Sequence, residues 1–177
     1  FGEDGEAQSI LERLKIPFTG SNSKASFLAM DKVKSKEAFF EKNLKSPKFR
    51  GFARKEKVSS EGFEFPCVVK PRYEGSSVGL SVVNSEKDFV KAIDKAFLCG
   101  EEILVEEYIS GRELTVGILN NVALPVVEIV AYDGIYDYNA KYKAQDTKYI
   151  VPANLSNEEQ KIVQEIAVKA NQALGCD

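Results

Sequence analysis

The chain has 177 residues, of which 44% are hydrophobic and 29% charged, a mixture suited to one domain or two small ones with a buried core. Its net charge of −3 argues against a protein whose main task is to neutralise nucleic-acid phosphates. It has no histidine, which removes Ser-His-Asp and Cys-His catalysis and nearly every zinc site, and no run of about eighteen apolar residues that would span a bilayer. Cys67, Cys99 and Cys176 are odd in number and far apart, which suits reduced thiols in a cytosolic protein. The chain opens on Phe1 rather than Met and stops just after a helical pattern, so it reads as a piece of a longer polypeptide.

In chain order, the first pattern is a helix with Ala7, Ile10, Leu11 and Leu14 on one face and acidic Glu3, Asp4 and Glu6 at its start, followed by a short extended segment through Pro17. A second helical stretch covers "SKASFLAMDKVKSKEAFFEKN". Residues 42–57 then hold seven Lys or Arg against one Glu, without the alternating aromatics of a base-stacking platform, so a solvated basic face is the plainer reading. "FEFPCVVKP" reads as a short apolar strand, and "RYEGSSVGLSVV" as a Gly/Ser loop returning into a second strand. Ser85 and Asp88 at capping-box spacing, with a stripe of Phe89, Ile93 and Phe97, predict a helix. "EEILVEEYI", "GRELTVGIL" and "VALPVVEIV" read as antiparallel strands, the last two joined at Asn120-Asn121. Residues 132–150 then pack five of the seven tyrosines and three lysines into a polar stretch. A long polar connection in a compact domain is usually functional or disordered, and the buriable area of tyrosine argues against disorder. Ser156 and Glu159 form a further capping box before a helix that Gly175 ends. The irregular alternation of helices and strands points to an α+β fold of mixed or antiparallel sheets with flanking helices.

Three segments could carry chemistry. In "VVKPRYEGSSVG", Lys70 at a strand end followed by Gly75, Ser76 and Ser77 could bring an ammonium and backbone N–H groups to a phosphate, or could be an ordinary hairpin with a surface lysine; it is no Walker A loop. In "ILVEEYISGRE", Glu106, Glu107 and Glu113 could accept from a ribose hydroxyl or an adenine amino group, although acids at strand ends are commonplace. The Tyr/Lys stretch could stack single-stranded bases or close as a lid over a reaction, and its pattern does not choose between the two.

Taken together and in this order, "GEDG", "IPFTGS", "AMDK", "KPRYEGSSVG", "LVEEYISGRE" and "YDYNAKY" resemble the D-alanine–D-alanine ligases of the ATP-grasp superfamily, over essentially the whole chain. The resemblance implies an ATP-grasp fold with a nucleotide cleft between two subdomains. It divides the chain into the end of an N-terminal domain (1–30), a central subdomain (31–105) and the first part of a C-terminal domain (106–177). It also implies a cytoplasmic enzyme of peptidoglycan synthesis. In that family ATP phosphorylates the carboxylate of one D-alanine, and the amine of a second attacks the acyl phosphate.

By the same resemblance, Lys32 and Lys70 hold ATP phosphates, and Glu74, Gly75, Ser76 and Ser77 form the loop folded over them. Glu106, Glu107, Tyr108 and Ile109 line the adenine pocket, and Glu113 takes the ribose. Many relatives carry lysine where this chain has Glu107, so backbone contacts rather than a side-chain role are expected there. Lys141 reaches the γ-phosphate, and Tyr142 joins Ser76 and a glutamate preceding Phe1 in a hydrogen-bonded triad. The catalytic residues are then Ser76, Lys141 and Tyr142, and the second substrate is D-alanine rather than D-lactate, whose ligases have a different flap. Magnesium or manganese is expected, with its ligands and an oxyanion-stabilising arginine beyond Asp177, so the chain alone is expected to be inactive and to hold no metal itself. D-alanine is the expected partner, with no nucleic acid or membrane, and a homodimer is expected for the full-length parent. The alternatives are an ATP-grasp ligase for a different amino or hydroxy acid, or a non-catalytic nucleotide- or nucleic-acid-binding module.

Overall fold

The computed structural model describes residues 2–131, 141 and 146–176. They fall into two compact units, one made of residues 2–45, Arg112–Ala131 and 147–176, the other containing Ser46–Gly111.

The second of these is built on an antiparallel sheet of β1 (Phe49–Ala53), β2 (Cys67–Pro71), β3 (Ser81–Val83) and β4 (Glu102–Glu107), in the order β1-β4-β2-β3. Successive side chains of a strand point to opposite faces. One face of β2 and β4 therefore carries Cys67, Val69, Ile103 and Val105, all fully buried. Helix α4 (Glu86–Phe97) covers that face with Phe89, Ala92, Ala96 and Phe97 in one apolar cluster. The opposite face carries Val68, Lys70, Leu104 and Glu106, two apolar residues and two charges on the inner strands of a sheet.

Both ends of α4 are closed by side chains. The Ser85 hydroxyl accepts from the Asp88 N–H, as the capping-box spacing predicts. At the other end the Arg54 guanidinium donates to the carbonyls of Phe97 and Gly100, pairs with Glu101 at 2.9 Å and stacks on the Phe97 ring at 5.0 Å. It thus satisfies carbonyls that a helix end leaves without intrahelical partners. The basic run at 42–57 is consequently more than a solvated face: it contains β1, and Arg50 lies 4.9 Å over the Phe52 ring. The charge density of the run hides the strand, because cation–aromatic stacking takes the place of apolar alternation there.

In the other unit, α1 (Glu6–Arg13) is followed by α2 (Ser23–Met30) and α3 (Lys32–Glu41). The expected single stretch is two helices because Asp31, at ψ 99°, leaves the helical region and caps α3 by accepting from the Val33 and Lys34 N–H groups. Ser35 ties the two together by donating to the Leu28 and Ala29 carbonyls. Glu12 of α1 accepts from both the N–H and the hydroxyl of Ser23, at 2.8 and 2.6 Å, so one helix supplies a cap for the next. Gly5 makes their approach possible: at φ +89° an added Cβ would lie 2.6 Å from the Ser23 carbonyl oxygen.

The remaining strands of this unit are β5 (Glu113–Thr115), β6 (Ile118–Leu119), β7 (Val122–Ala123), β8 (Val127–Val130) and β9 (Lys148–Ile150), in a β5-β8-β9 sheet and a β6-β7 hairpin. Asn120 and Asn121, at φ 51° and 61°, make the hairpin turn. The expected run of three antiparallel strands is therefore divided, with β4 in a different sheet from β5 and β8. Helix α5 (Asn157–Leu174) starts at the Ser156–Glu159 capping box, ends at Gly175 in the left-handed region, and packs with α2, α3 and the hairpin.

Truncating Phe89, 2% exposed, to alanine is expected to destabilise the protein by about 3–5 kcal/mol in urea unfolding, whereas alanine at Phe40, 82% exposed, costs under about 0.5 kcal/mol. Acid unfolding gives a second test. The hydrogen bonds from Ser23 hold the Glu12 carboxyl below the ordinary glutamate value of 4.5, and those from Ser156 do the same for Glu159. A depressed carboxyl contributes stability that is present above its unfolded value and is lost as pH falls through its folded one. Stability therefore drops as pH falls below 4.5, and a Glu12→Gln, Glu159→Gln variant shows a shallower acid dependence of its urea midpoint than the parent; equal slopes contradict the assignment.

Candidate functional site

The two charges on the face of β2 and β4 turned away from α4 meet. In the antiparallel pairing Lys70 lies opposite Leu104 and Val68 opposite Glu106, so Lys70 and Glu106 are diagonal neighbours on one face. They form an ion pair whose side chains are only 18% and 8% exposed. Dehydrated charges are costly unless paired, and a replacement by apolar residues would often be at least as stable, so such a pair in a sheet points to a role beyond stability. Its neighbour Arg72 pairs with Glu102 in the same sheet.

Immediately after β2 the chain enters the loop 74–79. Ser76 and Ser77 both adopt left-handed backbone, at φ 52° and 59°. Such conformations cost non-glycine residues on the order of 1 kcal/mol each and concentrate at ligand clamps and switch segments. Gly79, at φ +71°, sits so close to β2 that an added Cβ would lie 2.7 Å from Pro71 Cγ and 3.0 Å from Cys99 Sγ. The turn closes through Val78 N–H to the Gly75 carbonyl. Glu74, Gly75, Ser76 and Ser77 are half-buried. The expected phosphate loop is thus a strained turn pinned against the strand that bears Lys70.

At the far end of β4, Glu107 has its N–H donating to the Lys48 carbonyl at 2.9 Å and its carboxylate accepting from the Lys48 N–H at 3.3 Å. Its side chain is therefore engaged in holding the segment before β1. Tyr108 is half-buried and Ile109 is 59% exposed. Glu107 and Tyr108 form one wall of a cleft of about 430 Å³, whose other walls include Lys48, Phe63, Phe65 and Pro66. Phe65 is fixed edge-on against Phe89, with ring centroids 6.4 Å apart, and Lys48 donates to the Gly62 carbonyl at 2.8 Å while lying over Phe63. Three aromatic rings beside the charged Lys48, Glu64 and Glu107 give the cleft flat apolar surface together with polar groups, a combination that can take a heteroaromatic ligand. Sequence reasoning did not single out Phe65 or Lys48, because Lys48 meets Glu107, 59 residues away, only beside the β1–β4 pairing, and Phe65 nears Tyr108 only beside the β2–β4 pairing.

Within its own unit, Lys32 is half-buried at the first position of α3, fixed there by the Asp31 cap, with the buried Lys36 one turn later. Glu113 is exposed at the start of β5. Lys70, Glu106, Glu107, Tyr108, Ile109 and the 74–77 loop are gathered on one unit, and Lys32 and Glu113 belong to the other. Lys141 is half-buried, and Tyr142 lies outside the described residues. Among the described residues no group of three or more Asp, Glu, Cys or His side chains is placed to hold a metal ion. Nor is any described helix long and apolar enough to cross a membrane.

Residues 21–177 match the family model described as D-ala D-ala ligase C-terminus. The chain belongs to the D-alanine–D-alanine ligase family. It is 40% identical over 176 residues to the D-alanine–D-alanine ligase of Syntrophotalea carbinolica, covering 99% of this chain and 58% of that protein. The crystal structure of the D-alanine–D-alanine ligase from Bacillus anthracis superposes with a TM-score of 0.86 at 33% identity, over 99% of this chain and 59% of that one. The same organism's ligase complexed with ATP superposes at 0.83 with 28% identity, over 99% and 57%. The chain thus spans under three-fifths of each of these ligases. Its α+β architecture is that of this ATP-grasp family, as the ordered motifs led one to expect.

As a member of this ligase family the chain carries its most distinctive charge pair at low exposure, and that can be tested without turnover. Lys70→Met strands the Glu106 carboxylate and is expected to cost about 2–4 kcal/mol in urea unfolding, while adding Glu106→Gln recovers most of that loss. Equal stability of the single and double variants contradicts the coupling.

Proposed function

We propose that the full-length protein containing this chain is an ATP-dependent carboxylate–amine ligase that joins two D-alanines. Phosphoryl transfer from ATP to the carboxylate of the first gives an acyl phosphate and ADP. The amine of the second attacks the acyl carbon, and phosphate leaves with the electron pair of the broken C–O bond. The observation that carries this reading is the Lys70–Glu106 pair beside the strained 74–79 loop, in a chain matching the ligase family along residues 21–177.

Phosphoryl transfer depends mainly on positioning and on neutralising charge, so point-charge lysines and backbone donors suffice for much of it. Lys70 would contribute its ammonium to the phosphates, with Glu106 holding that ammonium in place on the sheet face. Glu74, Gly75, Ser76 and Ser77 would fold over the phosphates, and Lys32 would add a second cation. The ring-walled cleft beside Glu107 and Tyr108 would take the adenine, with Ile109 at its rim and backbone groups of the 106–109 segment reading its edge. Glu113 would accept from the ribose. Lys141 and Tyr142 are proposed for the γ-phosphate and for a hydrogen-bonded triad with Ser76. Magnesium or manganese would add charge neutralisation to the phosphates. The segments 1–30, 31–105 and 106–177 would serve as the end of an N-terminal domain, the central subdomain and the start of the C-terminal domain. By family reasoning the protein works in the cytoplasm, in cell-wall precursor synthesis, as a homodimer.

With the full-length protein, phosphate release should require both ATP and D-alanine, and D-lactate should not replace D-alanine as second substrate. Lys70→Ala should lower kcat/KM for ATP by about tenfold or more. Phosphate release indifferent to D-alanine sinks the ligase reading, and unchanged ATP kinetics in Lys70→Ala sinks the phosphate role.

A further inference from the structure

Arg112 stands inside the motif "LVEEYISGRE", directly before Glu113. Its guanidinium makes a two-pronged pair with Glu128, with Nε donating to Oε1 at 2.7 Å and Nη2 to Oε2 at 2.6 Å. Nη2 also donates to the Asn154 carbonyl at 2.9 Å. The planar fork of arginine suits this arrangement, and the Glu128 side chain is only 13% exposed although Arg112 itself is 45% exposed. The pair shifts both titrations: Glu128 beside it raises the Arg112 value, and Arg112 holds Glu128 below the ordinary carboxylate range. One side chain thus joins the residue preceding β5, the middle of β8, and the loop that leads into α5.

Strand β5 is three residues long and pairs with β8 through Glu113–Ile129, Leu114–Glu128 and Thr115–Val127. So short a strand has little ladder bonding to keep its first residue from fraying. Leu114 and Glu128 share a face, and Arg112 reaches Glu128 on that same face; alternation puts Glu113 on the other one. The clamp therefore holds the strand from one side and leaves Glu113 presented on the opposite side. The Arg112 guanidinium is taken up by Glu128 and the Asn154 carbonyl, so its route to the nucleotide would run through the placement of Glu113.

We infer that Arg112 is a positioning residue, whose clamp on Glu128 and the Asn154 carbonyl sets the strand that presents Glu113 and thereby the affinity for the ribose hydroxyls of the nucleotide. The inference rests on the ligase reading above, in which Glu113 accepts from the ribose.

The test uses the full-length protein with ATP and with 2′,3′-dideoxy-ATP as alternative phosphoryl donors. Arg112→Gln should raise KM for ATP about tenfold with kcat nearly unchanged, and should leave KM for the dideoxy nucleotide within about twofold. Glu128→Gln, which opens the clamp from its other end, should show the same selectivity, and Arg112→Lys, which keeps the charge but loses the fork, should fall in between. Glu113→Gln run in parallel separates the two ideas. If it fails to distinguish the nucleotides, the ribose assignment falls and this inference with it. If Glu113→Gln distinguishes them and Arg112→Gln does not, whether by weakening both nucleotides equally or neither, the clamp is structural only and the inference alone is overturned.

Discussion

The antiparallel pairing of β2 with β4 is the constraint on which the rest depends, because it gives one sheet two opposed duties. On one face Cys67, Val69, Ile103 and Val105 are sealed by α4 in the apolar core. On the other face the same register sets Lys70 and Glu106 diagonally, in an ion pair with little access to water. A slip of one residue in either strand would turn its charge toward α4 and carry Val69 or Val105 to the other face. Register, core and charge pair therefore stand or fall together. Such a pair seldom adds stability over well-packed apolar residues, so stability alone does not account for its presence on this face.

What surrounds the pair follows from it. The loop after Lys70 is held against β2 by Gly79, whose lack of a Cβ lets the turn lie on Pro71 and Cys99. Ser76 and Ser77 keep a left-handed backbone that a free loop would abandon. At the other end of β4, the backbone of Glu107 continues the pairing to Lys48 and so shapes the cleft beside Tyr108 and Phe65. In the other unit, local capping does comparable work: Asp31 sets Lys32 at the head of α3, and Arg112 holds the start of β5.

Features governed by a few neighbouring residues were legible in the sequence. The Ser85 and Ser156 caps, the Gly175 helix end, the Asn120-Asn121 turn and the Lys70 strand followed by its Gly/Ser loop all stand where their local chemistry puts them. Features set by distant pairing were not. One local feature was missed as well: the cap at Asp31, because aspartate inside an apolar-periodic stretch reads equally as a solvent-facing helical residue. β1 was hidden by arginines whose stems and guanidinium planes cover Phe52 and Phe97. The assignment of β4 to one sheet and β5 to another could not be read from three similar β-branched segments. For the site, Lys70 and Glu106 were named from separate motifs, but their contact comes from register alone, and Phe65 reaches the neighbourhood of Tyr108 only through the folded sheet.

The central claim is that the face of the sheet bearing Lys70 and Glu106 receives the nucleotide. The most direct measurement is a crystal structure of the full-length protein with a non-hydrolysable ATP analogue and magnesium. The account predicts a phosphate oxygen within hydrogen-bond distance of Lys70 Nζ, with the base in the cleft beside Phe65 and Tyr108. A nucleotide bound elsewhere, with Lys70 still held by Glu106 alone, would contradict it.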